Sequence, residues 1–391
     1  MKPQVLVVGG GMITHDQVLP SLLHLQTLGV ISQVGVVASR SATIQKLREA
    51  FPQEDFEAHP QSGSEPQPQL YKDLIAKMPA GNIVIIALPD QLHYEAVMTA
   101  IEHGQHVLCV KPLVLTVRES IAIEEAARKK NLVVGIEYHK RFDDRSLMAR
   151  KRYRAGMFGD FKLGTASLME KWYYRNSNFQ NWMTTENSDA FTYIGCHYID
   201  LVHFITGLLP VSVSVYGVKD KFPNGAEGYL WTDARVIWNN GACLNVQNTL
   251  SYPEDGPGSN MQHLSMYCSD GDKGAMIRHN DQYRGIEYSY VRKPDAPGAT
   301  MYHEPSADYF QMIDLAQGRL TPVGYGYRSI DFIVRQCIAC EQSQDKQAFL
   351  RRLDEDGIVA TPRNSRFNEQ VVEAGRESIL NGGLEVKIAA S

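Results

Sequence analysis

Two textures of hydrophobic pattern divide the chain. Up to about residue 135, short unbroken apolar runs alternate with amphipathic stretches. The runs Val5–Val8, Val34–Ala38, Ile83–Leu88, His106–Val110 and Val133–Ile136 read as strands buried on both faces of a parallel sheet. After Pro89-Asp90, the residues Ala96, Val97, Ala100 and Ile101 recur at helical spacing, and Gly104 stops that helix. From Phe161 the pattern alternates. Lys162–Met169, Val211–Val218, Ala234–Trp238, Ala242–Leu250 and Leu264–Cys268 predict a mostly antiparallel sheet. Helices are expected to resume at Ala307–Gln317 and Ser329–Gln342. Three stretches read as loops: Pro60 to Gln69 (PQSGSEPQPQ), Ser251–Asn260 and Lys293–Pro305. The pattern predicts an α/β domain over residues 1–135 with a doubly wound parallel sheet. Residues 136–391 are expected to form an α+β domain with a large, mostly antiparallel open sheet. Gly135 to Phe142 is expected to carry the chain across the cleft between them.

Composition narrows the class. A length of 391 residues suits two domains, and 43% hydrophobic with 21% charged residues is ordinary for a soluble globular chain. A net charge of -5 gives no reason to expect nucleic-acid binding. The six cysteines are scattered, and Cys337 and Cys340 form a CxxC inside the helix-like run FIVRQCIACEQ. Helical spacing reads them as a buried pair rather than a redox motif, and no second CxxC completes a zinc site. This usage suits a reducing cytoplasm. The first strand begins too early to leave room for a signal peptide, and no apolar run approaches the roughly 20 residues of a membrane span. A cytoplasmic protein, bound neither to membrane nor to nucleic acid, is expected.

Candidate chemistry gathers at strand ends. Lys111-Pro112 sits at the C-terminal end of the His106–Val110 run, where open parallel sheets bind their ligands. The first strand runs into Gly9-Gly10-Gly11-Met12-Ile13-Thr14. Gly9 permits a tight turn and Gly11 lets backbone approach a pyrophosphate at a helix N-terminus; Thr14 replaces the third glycine of the usual dinucleotide fingerprint. The second strand ends in Ser39-Arg40-Ser41, with no acidic residue for a ribose 2′-hydroxyl. Two serines and an arginine suit a 2′-phosphate, so NADP(H), or dual use, is expected over strict NAD(H). Leu88, Pro89, His93 and Lys111 are expected near the nicotinamide half. His93 either braces its loop or contacts the cofactor directly.

Gly9-Gly10-Gly11, then Pro89-Asp90-Gln91-Leu92-His93, then Gly104-Gln105-His106-Val107 running into Lys111-Pro112, resemble the Gfo/Idh/MocA oxidoreductases. Residues Gly135 to Gly159 and Gly195-Cys196-His197-Tyr198-Ile199-Asp200 extend the resemblance. It implies a Rossmann domain followed by an α+β domain whose open sheet face serves dimer or tetramer formation. It also implies NAD(P)-dependent oxidation or reduction of sugars, inositols and related polyols. Two positions depart from the family. Val110 stands where a glutamate usually precedes the lysine, and Tyr193 where many relatives have an aspartate four residues before the histidine.

Removing a hydride from a sugar alcohol requires a base for the hydroxyl proton and a cation for the alkoxide-like charge. The resemblance gives these roles to Lys111 and His197. Histidine titrates near neutral pH without a large shift, which favours His197 as the base; the roles are exchangeable. Tyr193 lies on the same expected helix face as His197 and offers a hydroxyl to substrate or to Lys111, without the aspartate's charge. Asp200 either orients a substrate hydroxyl or braces the helix. A metal shared by His197 and Asp200 is disfavoured because His203 points away. Tyr138, His139 and Arg141 are expected to enter the cleft. Trp172, Tyr173, Tyr174 and Trp182 form an aromatic group that either stacks on sugar faces or packs in the core. Two other classes stay open: a hydrolase or lyase that keeps its nicotinamide through transient oxidation and elimination, and a non-catalytic cofactor-sensing regulator.

Overall fold

The apolar runs of the first third become strands because their side chains have no wet face to turn to. In β4 (Ile83–Ile86) no residue is more than 1% exposed. Each such side chain contributes roughly 1.5–3 kcal/mol of burial free energy. β1 (Gln4–Val8), β2 (Gln33–Val37), β3 (Glu57–His59), β4, β5 (His106–Val110) and β6 (Val134–Glu137) form one six-stranded sheet in the order β3-β2-β1-β4-β5-β6. Every pair in it is parallel. The order reverses between β1 and β4, which makes the carboxyl ends of those two strands a topological switch point. Helices α1 (Leu19–Thr27), α2 (Ser41–Ala50), α3 (Leu70–Lys77), α4 (His93–Glu102) and α5 (Val117–Lys130) provide the connections. This computed structural model describes residues 2–176, 178–254, 260–271, 273–280, 289–290, 302–303, 307–316 and 318–389.

The chain divides into two compact units, Met1–Phe142 with Met312–Arg366 and Asp143–Gln311 with Phe367–Ser391. α8 (Tyr325–Gln342) and α9 (Lys346–Asp356) belong to the first. His106 shows how α8 is fastened. Its Nδ1 accepts from the Val133 amide at 3.0 Å, which leaves Nε2 as the N–H that donates to Glu341 Oε2 at 3.1 Å. Cys337 and Cys340 are both buried on α8, and burial raises both thiol pKa values, that of Cys340 to about 11.

The second unit is built on a seven-stranded sheet in the order β12-β11-β7-β10-β9-β8-β17. Its strands are β7 (Asp160–Lys171), β8 (Pro210–Lys221), β9 (Glu227–Trp238), β10 (Cys243–Tyr252), β11 (Asn260–Asp270), β12 (Lys273–Asn280) and β17 (Val386–Lys387). Only β7 and β10 pair in parallel. Two short ribbons pair β13 (Ser289–Tyr290) with β14 (Tyr302–His303) and, from Met312 on in the first unit, β15 (Gln311–Asp314) with β16 (Leu320–Val323). Core-facing Leu244, Val246 and Leu250 of β10 are fully buried, and α6 (Asp144–Arg154), α7 (Cys196–Thr206) and α10 (Arg366–Leu380) complete the unit. The alternating segments are strands, as their period predicts.

The helix expected over Ala307–Gln317 is instead a turn followed by β15. The Ala316 amide donates to Asp314 Oδ1 at 2.7 Å, and Ala316 and Gly318 take φ of 56° and 77°. These left-handed positions follow β15, which pairs with β16 in place of the expected helix. Of the loop expected at Ser251–Asn260, residues 255–259 lie outside the described residues; so does the loop at Lys293–Pro305 apart from 302–303. Among the described residues no helix is long and apolar enough to cross a membrane.

Candidate functional site

The carboxyl edge of the parallel sheet is shaped by what the β1 turn tolerates. Gly9 has φ of 112°, and a Cβ there would stand 2.0 Å from the Ala87 carbonyl oxygen at the end of β4. Only glycine lets these strand ends meet at the switch point. A Cβ on Gly11 would meet nothing within 4 Å, so the turn opens onto free space where the helix begins. Met12 there is 41% exposed, and Ile13 is part-buried behind it. The first N–H groups of a helix have no partner within it, so this opening fits a dinucleotide's pyrophosphate.

Thr14 does not imitate the missing third glycine. Its hydroxyl donates to the Gly9 carbonyl at 2.7 Å, and Thr14–Val18 form a π-helical turn before α1. Gln17 on that turn donates to Glu137 Oε1 at 2.9 Å and to the Gly326 carbonyl at 3.0 Å. Glu137, 2% exposed at the end of β6, also accepts from Ser329 Oγ at 2.6 Å and lies 3.0 Å from His139 Nδ1. The fingerprint helix is thus tied to β6 and α8 through one buried carboxylate.

At the end of β2, Ser39 and Arg40 are exposed, and Ser41 is part-buried at the start of α2. Leu88 and Pro89 follow β4, part-buried, and Lys111 follows β5, also part-buried, joined to Pro112 by a cis peptide. Gly9, Pro89 and Lys111 therefore share one edge of one sheet, with β4 between the outer two. Neighbouring strands are about 4.8 Å apart, so the glycine turn and the lysine stand roughly 10 Å apart across that edge.

His93 explains how the lysine turn is held. The ring is 0% exposed; Nε2 lies 2.8 Å from the Leu88 carbonyl, and Nδ1 lies 2.8 Å from that of Pro112 and 3.2 Å from that of Leu113. Of its two expected roles, these contacts are those of a brace. Tyr138 and Arg141 are each 1% exposed. Arg141 lies over the Tyr138 ring at 5.8 Å, and its Nη1 donates to the Gly357 carbonyl at 3.4 Å. His139 stacks on Tyr325 at 5.6 Å.

In the second unit, His197 is 6% exposed in the first turn of α7. A π-helical turn, Phe191–Gly195, leads into it. A Cβ on Gly195 would come within 2.7 Å of Asn248 Oδ1 and 2.9 Å of the Phe191 ring. The glycine two residues before His197 thus seats that turn against β10. The wider turn changes the angular spacing on which the expected shared face of Tyr193 and His197 relied. Tyr193 packs edge-on to Phe179 at 4.8 Å and to Trp182 at 5.9 Å. Asp189, fully buried, accepts from the Thr192 amide at 2.8 Å and from its hydroxyl at 3.0 Å. Burial raises its carboxyl pKa, opposed by those Thr192 bonds and by Arg376. The Asp-x-x-Thr spacing is a helix-start signal legible in the sequence, yet neither Asp189 nor Asn248 stood out there.

Asp200 is 1% exposed and accepts from Asn368 Nδ2 of α10 at 3.0 Å, the bracing contact of its two expected roles. His203 Nδ1 lies 2.8 Å from the Leu208 carbonyl. The aromatic group splits. Tyr174 joins the core with Phe179 and Met183, Trp182 packs against it, and Trp172 and Tyr173 are 43% and 46% exposed. Trp172 lies over the buried Arg175 guanidinium at 3.9 Å, leaving it partly open to solvent.

A family profile described as an oxidoreductase family with an NAD-binding Rossmann fold matches residues 4–138. A second, the GFO/IDH/MocA C-terminal domain, matches residues 146–272. Curated relatives include levoglucosan dehydrogenase of Pseudarthrobacter phenanthrenivorans, 28% identical over 41% of this chain and 42% of that protein. D-glucoside 3-dehydrogenase of Escherichia coli is 25% identical over 52% of this chain and 54% of that protein. An NADP(+) scyllo-inositol 2-dehydrogenase of Bacillus subtilis is 29% identical over 34% and 37%. The chain thus spans about half or less of these relatives' length. Among solved structures, scyllo-inositol dehydrogenase of Lactobacillus casei with NAD(H) and scyllo-inositol superposes over 100% of both chains, with a TM-score of 0.63 at 15% identity. The WlbA dehydrogenase of Bordetella pertussis with NADH and UDP-GlcNAcA does so with a TM-score of 0.67 at 16% identity. At such identities the likeness is one of fold.

Proposed function

Since the chain belongs to the Gfo/Idh/MocA oxidoreductase family, we propose that it is a dehydrogenase or reductase of a sugar, glycoside or inositol, dependent on NAD(P). The observation that carries the proposal is the common sheet edge: a glycine turn opening onto a helix start at β1, and a lysine at the end of β5. Levoglucosan, glucoside and inositol dehydrogenases among the relatives support the substrate class.

Gly9, Gly11, Met12 and Ile13 hold the cofactor's pyrophosphate; Ser39, Arg40 and Ser41 receive its adenosine ribose, with NADP(H) favoured and NAD(H) also used. Leu88 and Pro89 flank the nicotinamide end, with His93 fixing their turn from beneath. The bound cofactor supplies the hydride acceptor or donor. Lys111 hydrogen-bonds the reacting oxygen and stabilises its developing negative charge. His197 takes the hydroxyl proton in oxidation and returns it in reduction. Tyr193 stands in for an absent aspartate, and with no charge to lend it tunes the site through its hydroxyl. Trp172 offers an aromatic face to a sugar ring. Asp200, Tyr138 and Arg141, being buried, support the groups that touch substrate. The enzyme works in the cytoplasm as a homodimer or homotetramer.

The test is a fluorescence titration with NADPH and NADH, followed by a screen of sugars, glycosides and inositols at the nicotinamide absorbance band. Lys111→Ala and His197→Ala are assayed beside wild type. Polyol turnover that both variants lose, with cofactor binding retained, is the expected result. Tight cofactor binding with substrate cleavage but no net redox change refutes the dehydrogenase reading in favour of the eliminating mechanism.

A further inference from the structure

The loop that follows β3 is folded onto the tip of β2. The Gln67 amide donates to the Ser39 carbonyl at 2.7 Å, and Ser41 Oγ donates to the Ser64 carbonyl at 3.2 Å. These bonds fix which way Ser41 presents itself. A hydroxyl has one proton; with that proton on Ser64, the oxygen turns its lone pairs outward. In that orientation it accepts from a ribose hydroxyl rather than donating to a phosphate. Glu65 comes next in the chain and is exposed, the only charged residue of the stretch 60–69. Covalent geometry places its Cα within about 6 Å of Ser41 Oγ. Arg40 is exposed at the cap of α2, and its guanidinium makes no hydrogen bond or ion pair among the described residues.

Dinucleotide sites that select NAD carry an acidic residue for the ribose 2′-hydroxyl at the end of the second strand. Here that strand ends in Ser39-Arg40-Ser41. We propose that the Pro60–Gln69 loop supplies the missing element from outside, through Glu65 and the Ser41 hydroxyl it holds as an acceptor, and so sets the balance between NAD(H) and NADP(H). Arg40 pulls towards the 2′-phosphate, and the loop pulls towards the free 2′-hydroxyl. The inference rests on the cofactor reading above and adds to it the device that keeps both cofactors usable. It also gives the loop a purpose, since a carboxylate on a loop can be moved or lost without disturbing the sheet that carries the glycine turn.

The experiment measures dissociation constants for NADPH and NADH by fluorescence, on the full chain as wild type, Glu65→Gln, Ser41→Ala and Arg40→Ala. A carboxylate about 6–8 Å from a dianionic phosphate near the surface repels it by enough to weaken binding about fivefold at moderate salt. Glu65→Gln is therefore expected to tighten NADPH about fivefold while leaving NADH unchanged or weaker. Ser41→Ala is expected to weaken NADH more than NADPH. Arg40→Ala is expected to weaken NADPH about tenfold with little effect on NADH, the loss of one charge-assisted contact. Raising the salt concentration shrinks the Glu65→Gln effect, which separates a charge from a change in loop shape. A ratio of NADPH to NADH affinity within twofold of wild type in both Glu65→Gln and Ser41→Ala overturns the loop proposal and leaves the cofactor reading standing. Binding of neither cofactor by wild type overturns both.

Discussion

His93→Phe tests whether the lysine turn is held from below. Phenylalanine keeps a planar ring of similar size in a site with 0% exposure and removes both ring nitrogens. A ring with one N–H donates to one carbonyl, so whichever of the Leu88 and Pro112 carbonyls, each 2.8 Å from a ring nitrogen, accepts it then loses its donor. Leaving one buried carbonyl without a donor costs about 1–3 kcal/mol. For a unit of this size that corresponds to a drop of roughly 5 °C in Tm. Urea titration supplies the free energy. Hydrogen exchange at Leu88 and at Leu113-Val114 locates it, because loss of the brace speeds exchange at both turns at once. His93→Gln, whose amide reaches one carbonyl, recovers part of the difference. A His93→Phe protein within about 0.5 kcal/mol of wild type, with unchanged exchange at the two turns, refutes the brace.

Three more variants probe other parts of the molecule. Gly195→Ala forces a methyl to within 2.7 Å of Asn248 Oδ1, costing about 1–3 kcal/mol by urea titration and lowering turnover more than cofactor affinity, because the turn it displaces carries His197; equal losses in both refute that assignment. His106 has its pKa lowered from the ordinary 6.5 by burial, against the opposing pull of Glu341. The fold favours the neutral ring, so its contribution to stability is complete above pH 6.5 and falls away as the pH drops below that value. His106→Gln is accordingly less stable than wild type at neutral pH but has a flatter acid limb in a Tm-against-pH series, and parallel limbs contradict this. Cys337 and Cys340, buried with raised thiol pKa values, resist iodoacetamide in the native protein and react on unfolding, while a Cys337→Ser, Cys340→Ser chain takes up none at α8 in either state; rapid native labelling refutes their inert packing.

Much of the fold was legible because single chemical preferences dominate single segments. Ile83–Ile86 has no polar residue to offer a solvent face, and β5 runs from His106 to Val110 as its apolar run does. Alternation in β9 and β10 announced strands with one face against the core. Other features have no local signal. β3 is a three-residue strand of Glu, Ala and His that exists because the edge of β2 accepts it. The helix expected at Ala307–Gln317 gives way to β15, whose pairing partner β16 lies a few residues on and has no local signal. α9 and α10 have no counterpart among the elements expected from sequence. That α9 belongs with the first unit while most of α10 belongs with the second is decided by partners far away in sequence.

The candidate site divides along the same line. Lys111, Gly9 and Ser39-Arg40-Ser41 could be found from sequence because each sits where a strand ends, and strand ends can be read from hydrophobic runs. What holds these groups in place could not. The two π-helical turns at Thr14–Val18 and Phe191–Gly195, the three carbonyls around His93, and the shared carboxylate of Glu137 depend on groups brought together from different strands and helices. The sequence by itself determined which chemistry is available and at which strand ends it appears, since backbone propensity and burial act residue by residue. Only the tertiary structure decided which hydroxyl is occupied, which histidine is a brace and which aromatic ring stays open to solvent. A polar side chain's role is set by the partner that satisfies it, and that partner lies elsewhere in the chain.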